Sequence, residues 1–170
     1  VKPSLITVAD PNSEAREQLA AKGLKTVDPT ADAKAAVIDA DIMVLAVKPQ
    51  VMKAVVGSFA DALDKQLVIS VAAGLSAELL SNKLGGYKNI VRAMPNTPAM
   101  IQMGATGLYG TDNISAEQKQ LATAVMEASG LVMWVDNEEH MHAVTAVSGS
   151  APAYMFYFIE SMVDGAVALG

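Results

Sequence analysis

The side chains best suited to holding a ligand in this sequence stand just after apolar runs. Lys48-Pro49 follows 42–47, Ala72-Ala73-Gly74 follows 67–71, and Met94-Pro95-Asn96-Thr97 follows 89–94. Asp10-Pro11 closes a fourth run at 5–9. Together they offer a carboxylate, an ammonium, an amide and a hydroxyl. Two of the turns are nearly free of side chains, which lets a flat or charged group approach the backbone. The chemistry on offer is binding and orientation. The chain has no cysteine, so a thiol nucleophile, a disulfide framework and a cysteine-ligated metal are excluded. No Ser-His-Asp set is patterned. His140 and His142 are two apart, which puts them on different faces of a helix. No acid is arranged around them as a metal site requires, so they read as surface residues and no metal is expected.

The elements that must position these groups alternate. Short β-branched runs at 5–9, 25–27, 42–47, 67–71, 89–94, 104–110 and 131–135 predict strands. The runs at 42–47 and 67–71 do not alternate, which predicts strands covered on both faces. Between the strands, Ser13, Thr30, Ser76 and Ser115 are candidate helix N-caps, with Gly23 and Gly130 as stops. These helices are expected from Ser13 to Gly23, from Thr30 through Ala40, from Pro49 to about Leu63, from Ser76 through Leu84, and over 115–130. The last shows Leu121, Val125 and Ala128 on one side. A short helix is expected around 137–146 and a final one from Pro152. The fold class is therefore α/β, a mostly parallel, doubly wound sheet with helices on both faces. In such sheets ligands bind beyond the carboxyl ends of the strands, which is where the candidate residues stand.

Each candidate also has a plain structural reading. Asp10 accepts from an adenosine ribose in a dinucleotide fold, or simply makes an Asp-Pro turn. If it meets a ribose, its charge would repel a 2'-phosphate and favour NAD. Lys48 is a cation near a cofactor, or a solvated lysine. Asn96 and Thr97 are ligand contacts, or part of a turn stiffened by two prolines. Glu138 and Glu139 near a helix start suit the helix dipole. The ten methionines read as core filler. Hydrophobic residues make up 52% and charged residues 18%, enough apolar material for a core. The net charge of −6 and the lack of a basic run argue against a nucleic-acid partner. No apolar run is long enough to span a bilayer, and no signal-peptide pattern opens the chain. A cytoplasmic location with no membrane partner is expected.

The stretch VTAVSGSAPAYMF at 144–156 strips its side chains to small groups before an apolar helix. Either it is a linker, or something bulky comes close to this backbone. Together with LAVKPQ (45–50), SVAAG (70–74) and VRAMPNTPA (91–99), it resembles pyrroline-5-carboxylate reductase, a likeness running from about Ile6 to Gly170. The resemblance implies reduction of Δ1-pyrroline-5-carboxylate to L-proline by hydride from NADPH or NADH. It implies an N-terminal Rossmann-type domain, here 1–147, and the first helix of an all-α dimerisation domain, here 148–170. It also implies a homo-oligomer, a dimer or a decamer. By residue, it places Ala46, Val47, Lys48, Pro49, Val71, Ala72 and Ala73 against the cofactor. Asp10 falls near the adenosine ribose, and Asn96 and Thr97 at the nicotinamide end. Glu138, Thr145 and the run Ser148, Gly149, Ser150, Ala151 and Pro152 border the substrate, with Glu138 and Thr145 the catalytic candidates. The small residues 148–152 are expected to form a hinge between the domains.

The sequence departs from that family's pattern in three ways. No G-x-G-x-x-G loop occurs, so the first β-α unit is missing and the chain starts at what looks like strand two. No Ser-Pro-Gly-Gly-Thr segment follows, although the resemblance makes that segment the grip on the substrate carboxylate. Ala33 stands where an asparagine is frequent near the adenine. The resemblance thus implies a piece truncated at both ends, with little reductase activity alone. Two rival readings are a dinucleotide sensor without catalysis and a dehydrogenase of the 3-hydroxy acid type. The second wants a lysine after the domain junction, and no lysine follows Lys119.

Overall fold

The computed structural model describes all residues from Val1 to Gly170. Seven strands alternate with helices, in two sheets. β1 (Thr7–Ala9) and β2 (Lys25–Val27) pair in parallel as a two-stranded sheet. The remaining five lie in chain order: β3 (Ile42–Leu45), β4 (Leu67–Ser70), β5 (Ile90–Met94), β6 (Gly104–Gly110) and β7 (Gly130–Trp134). β3, β4 and β5 run parallel, β6 runs antiparallel to β5, and β7 follows β6 in parallel. The α/β sheet is thus mostly parallel, as expected, but it is divided after β2 and reverses once.

Both faces of the larger sheet are covered, and the period-2 alternation of strand side chains shows how. Leu45, Val68 and Ile90 pack with Met52 and Val56 of α3 (Met52–Gly57) and Leu80 of α4 (Ala77–Lys83). Leu67, Ile69, Val91, Ala93 and Leu108 point the other way, onto Ala122 and Met126 of α5 (Ala116–Met126). All four residues of β4 are buried, as predicted for a strand covered on both sides. β3 does not meet that expectation: Val44 is 45% exposed. Val44 aligns with Ile69 and so points to the α5 face, but on this edge strand it lies outside the cluster packed beneath α5.

The caps separate correct from shifted expectations. Ser76 and Ser115 cap α4 and α5, and Ser115 forms a full capping box with Gln118. At α1 (Ser13–Ala20) the cap is Asn12, whose side chain accepts from the Ala15 N–H at 3.2 Å. At α2 (Pro29–Asp32) it is Asp28, with Pro29 at the first helical position. In both, a residue one or two places ahead of the predicted cap wins because it holds extended backbone and reaches the free N–H groups. α2 ends well short of Ala40, and α3 stops at Gly57 with a 3-10 turn at Ala60–Ala62. In α5 the buried face is carried by Ala122 and Met126, while Leu121 is 42% exposed. Ala128 lies in a 3-10 turn beyond the helix. Gly130 opens β7 at φ +139°, and a Cβ there would fall 2.1 Å from the Gly104 carbonyl oxygen. Close pairing of β6 with β7 fixes that glycine.

The expected hinge is a helix. α6 (His140–Val144) runs into a π-helical turn at Thr145–Gly149 and then into α7 (Ala151–Leu169). The Ser150 N–H reaches back to the Thr145 carbonyl at 2.9 Å, an i→i−5 bond. Pro152 has no N–H to offer to the preceding turn, and π-turns are one way a helix absorbs such a disruption. No residue of α7 is buried. No helix is long and apolar enough to cross a membrane.

Candidate functional site

The register brings three of the candidate turns to one rim. Leu45 aligns with Ser70, and Ser70 with Arg92. The chain therefore leaves β3, β4 and β5 on the same edge, through Ala46–Pro49, Val71–Gly74 and Pro95–Thr97. Ala72 is 8% exposed and its N–H donates to the Ser70 hydroxyl at 3.3 Å. Ala73, Lys48 and Thr97 are exposed. Gly74 has φ +76° with open space around it, so the turn 71–74 presents backbone with little side chain above it.

Because β6 is antiparallel, it begins where β5 ends. The Asn96 side chain accepts from the Ala105 N–H at 2.8 Å and donates to the Ser148 hydroxyl at 3.2 Å. Ser148 in turn approaches the Ala105 carbonyl at 3.4 Å. The Asn96 amide is thereby held in one orientation by the strand on one side and the π-turn on the other. Thr145 lies in that same turn, and its hydroxyl donates to the Met141 carbonyl at 2.7 Å.

The small residues now have a physical reason. A Cβ on Gly107 would lie 2.7 Å from Val144, and one on Gly149 would lie 2.8 Å from the terminal methyl of Met94. The helical run sits directly on β5 and β6; at Gly107 a Cβ would meet the branched Val144 side chain, whereas at Gly149 the flexible end of Met94 would have to move aside. Something bulky does approach this backbone: the sheet itself.

Asp10 stands apart. It ends β1, in the separate sheet, and is not in hydrogen-bonded register with the rim. Its carboxylate accepts from the Asn12 N–H at 2.8 Å, and its carbonyl accepts from Arg16 at 2.6 Å. Arg16 also pairs with Asp28 at 3.1 Å. Hydrogen bonds from Thr30, chiefly from its hydroxyl, hold the Asp28 carboxyl below the usual carboxylate range, with Arg16 assisting. The end of β1 and β2 is therefore a fixed acidic corner. His142 is a surface residue 3.7 Å from Glu139.

Glu138 is not open to a ligand on all sides. Its Oε1 accepts from the Arg92 guanidinium at 2.6 Å and from the Ala77 N–H at 2.6 Å. Tyr109, opposite Arg92 in the register, has its phenol pushed up from the ordinary value by burial first and by the Glu138 charge next. Arg92 was not among the sequence candidates. Its signal was a lone cation inside the apolar strand IVRAM, because a charge there requires a partner.

Both the sequence and the fold have known relatives. Residues 2–74 match the family described as NADP oxidoreductase coenzyme F420-dependent, and residues 138–170 match pyrroline-5-carboxylate reductase dimerisation. A pyrroline-5-carboxylate reductase of Pseudomonas aeruginosa is 43% identical, over 100% of this chain and 62% of that protein. A solved pyrroline-5-carboxylate reductase from Coxiella burnetii is similar at TM-score 0.88 with 39% identity, over 97% of this chain and 61% of that one. The Plasmodium falciparum enzyme, solved with NADP bound, gives TM-score 0.86 and 27% identity over 100% and 61%. The chain thus spans about three fifths of the length of these relatives. On the motifs, the fold and these matches, the chain belongs to the pyrroline-5-carboxylate reductase family.

Proposed function

We propose that this protein acts in the reduction of Δ1-pyrroline-5-carboxylate to L-proline, with NADPH or NADH as the reductant. The observation that carries the reading is the Asn96–Ser148 hydrogen bond of 3.2 Å. It joins the turn MPNTP to the run SGSAP, so the two most specific motifs form one surface on the rim of the sheet.

The dinucleotide, when bound, would supply a hydride to the carbon of the protonated imine, and the proton already taken from water by the nitrogen would remain as the N–H of the amine. An iminium carbon is already electrophilic, so the chain's task is orientation. In this reading Ala46, Val47, Lys48, Pro49, Val71, Ala72 and Ala73 cradle the dinucleotide along the rim. Asp10 meets its ribose, and Asn96 and Thr97 border the reactive ring. The small groups of 148–152 and the Thr145 hydroxyl border the imine. Residues 1–147 form the dinucleotide unit, and from 148 the chain serves assembly. The largely apolar helix α7, whose polar residues are confined to the side of Glu160, Ser161 and Asp164, then joins a second copy into a dimer, and dimers can build a decamer. The setting is cytoplasmic, with neither nucleic acid nor membrane as partner.

The test completes this chain with the stretches of the Pseudomonas aeruginosa relative that it does not cover. The completed protein should convert pyrroline-5-carboxylate and reduced dinucleotide to proline and oxidised dinucleotide, one for one. Dinucleotide binding without proline formation would overturn the reading.

A further inference from the structure

We propose that the Arg92–Glu138 ion pair is a positioning clamp. It sets the distance between the rim turn 71–74 and the helical run that carries Thr145 and Ser148. The inference rests on the reductase reading above, and it assigns Glu138 a task other than handling the imine proton.

A single carboxylate oxygen joins three elements. Glu138 Oε1 takes the Arg92 Nη1–H from the middle of β5 and the Ala77 N–H from the start of α4, both at 2.6 Å. Ala77 stands three residues after Gly74, the end of the turn that contains Ala72 and Ala73. Glu138 directly precedes the residues that lead into α6, the π-turn and α7. Arg92 lies in the strand that ends at Met94 and delivers Asn96. The cofactor side, the substrate side and the strand between them thus share one anchor.

Burial indicates what the pair is for. The Arg92 and Glu138 side chains are 11% and 25% exposed. An ion pair this withdrawn from water is poor adhesive, because desolvation offsets much of the attraction, and apolar packing of equal volume is often as stable. What apolar packing cannot supply is an acceptor for the Ala77 N–H, which has no partner inside its own helix. It also cannot fix direction. The two short bonds tie the start of α4 and the approach to α6 to the same strand, β5. A displacement of about 1 Å between reacting partners costs about 100-fold in rate, so the clamp has something to protect.

The experiment uses the completed protein described above. Glu138→Gln keeps an oxygen acceptor for both donors, whereas Glu138→Ala removes it. The expected result is a fall in kcat of about 10- to 100-fold for Glu138→Ala, with KM for the imine nearly unchanged. Glu138→Gln should recover most of that loss. A Glu138→Gln variant as slow as Glu138→Ala, together with loss of one limb of the pH–rate profile, would make Glu138 a proton-handling group and overturn the clamp. Equal kcat in all three proteins, assayed well below their melting temperatures, would overturn it as well. Should Glu138→Ala fail to fold, Glu138→Asp takes its place, since it withdraws the carboxylate by one methylene and should also lower kcat. Hydrogen exchange gives a reading independent of turnover. The Ala77 amide should exchange faster in Glu138→Ala than in Glu138→Gln, with α5 unaffected; unaltered exchange at Ala77 sinks the clamp. An inactive unsubstituted protein would instead sink the reductase reading, and the catalytic purpose of the clamp with it.

Discussion

Helices α5 and α7 are built on opposite plans. α5 begins with a capping box, buries Ala122 and Met126, and turns Lys119 and its other polar residues outward. α7 begins without a side-chain cap, enters from a π-turn, and buries nothing. Its exposed residues include Phe156 at 61%, Phe158 at 59%, Ile159 at 53% and Val163 at 55%. Apart from the side carrying Glu160, Ser161 and Asp164, the helix is apolar, which suits it to burial, and an exposed apolar surface of this kind marks an interaction site. The difference teaches where each helix obtains its stability: α5 from the sheet beneath it, and α7, in the assembly proposed above, from a partner surface.

The largest test of that contrast is charge on α7. Glutamate at both Phe156 and Val163, one face of the helix, should shift the protein from dimer to monomer in light scattering. Losing two large apolar contacts costs about 3–6 kcal/mol, or roughly 10²- to 10⁴-fold in dissociation constant. The matching change in α5, Leu121→Glu, should leave assembly untouched. A dimer that survives the α7 changes would break the comparison.

A smaller effect is expected where the helical run meets the sheet. Gly107→Ala puts a methyl 2.7 Å from Val144 and should cost about 1–3 kcal/mol in chemical denaturation. Adding Val144→Ala should recover part of it. No cost at all would mean that α6 is not seated on β6 as described. The smallest effect concerns the caps. Ser115→Ala should cost about 1 kcal/mol, while the stability change for Ser150→Ala should stay within about 0.5 kcal/mol. Equal costs would show that α7 depends on its first turn as α5 does.

The sequence made the strands and the rim legible because they are written in local signals: apolar runs, proline after a strand, serine before a helix. It also pointed to Asn96 and Ser148, though only as separate motifs; their hydrogen bond depends on β6 running antiparallel, which no local pattern announces. Helix starts were displaced by one or two residues at Asn12 and Asp28, where two capping residues stand close together and backbone geometry decides. The hinge was misread because glycine, serine and proline signal a break equally well whether they make room for a turn or for a neighbouring strand. Gly149 lies against Met94 of β5, and Gly107 of β6 leaves room for Val144 of the helical run; that shows only when helix and sheet are seen together. Arg92 went unnoticed for a similar reason: its partner lies at Glu138, far along the chain.

The unbroken passage from α6 to α7 makes the latter a lever. With 19 residues, α7 extends about 28 Å at 1.5 Å per residue. Its fulcrum is the turn lying against Met94 and Asn96. A tilt of about 5° at that fulcrum would swing the far tip by about 2 Å over such a length. Small changes where the helix rests on the sheet should therefore appear as altered angles between subunits before they weaken subunit affinity.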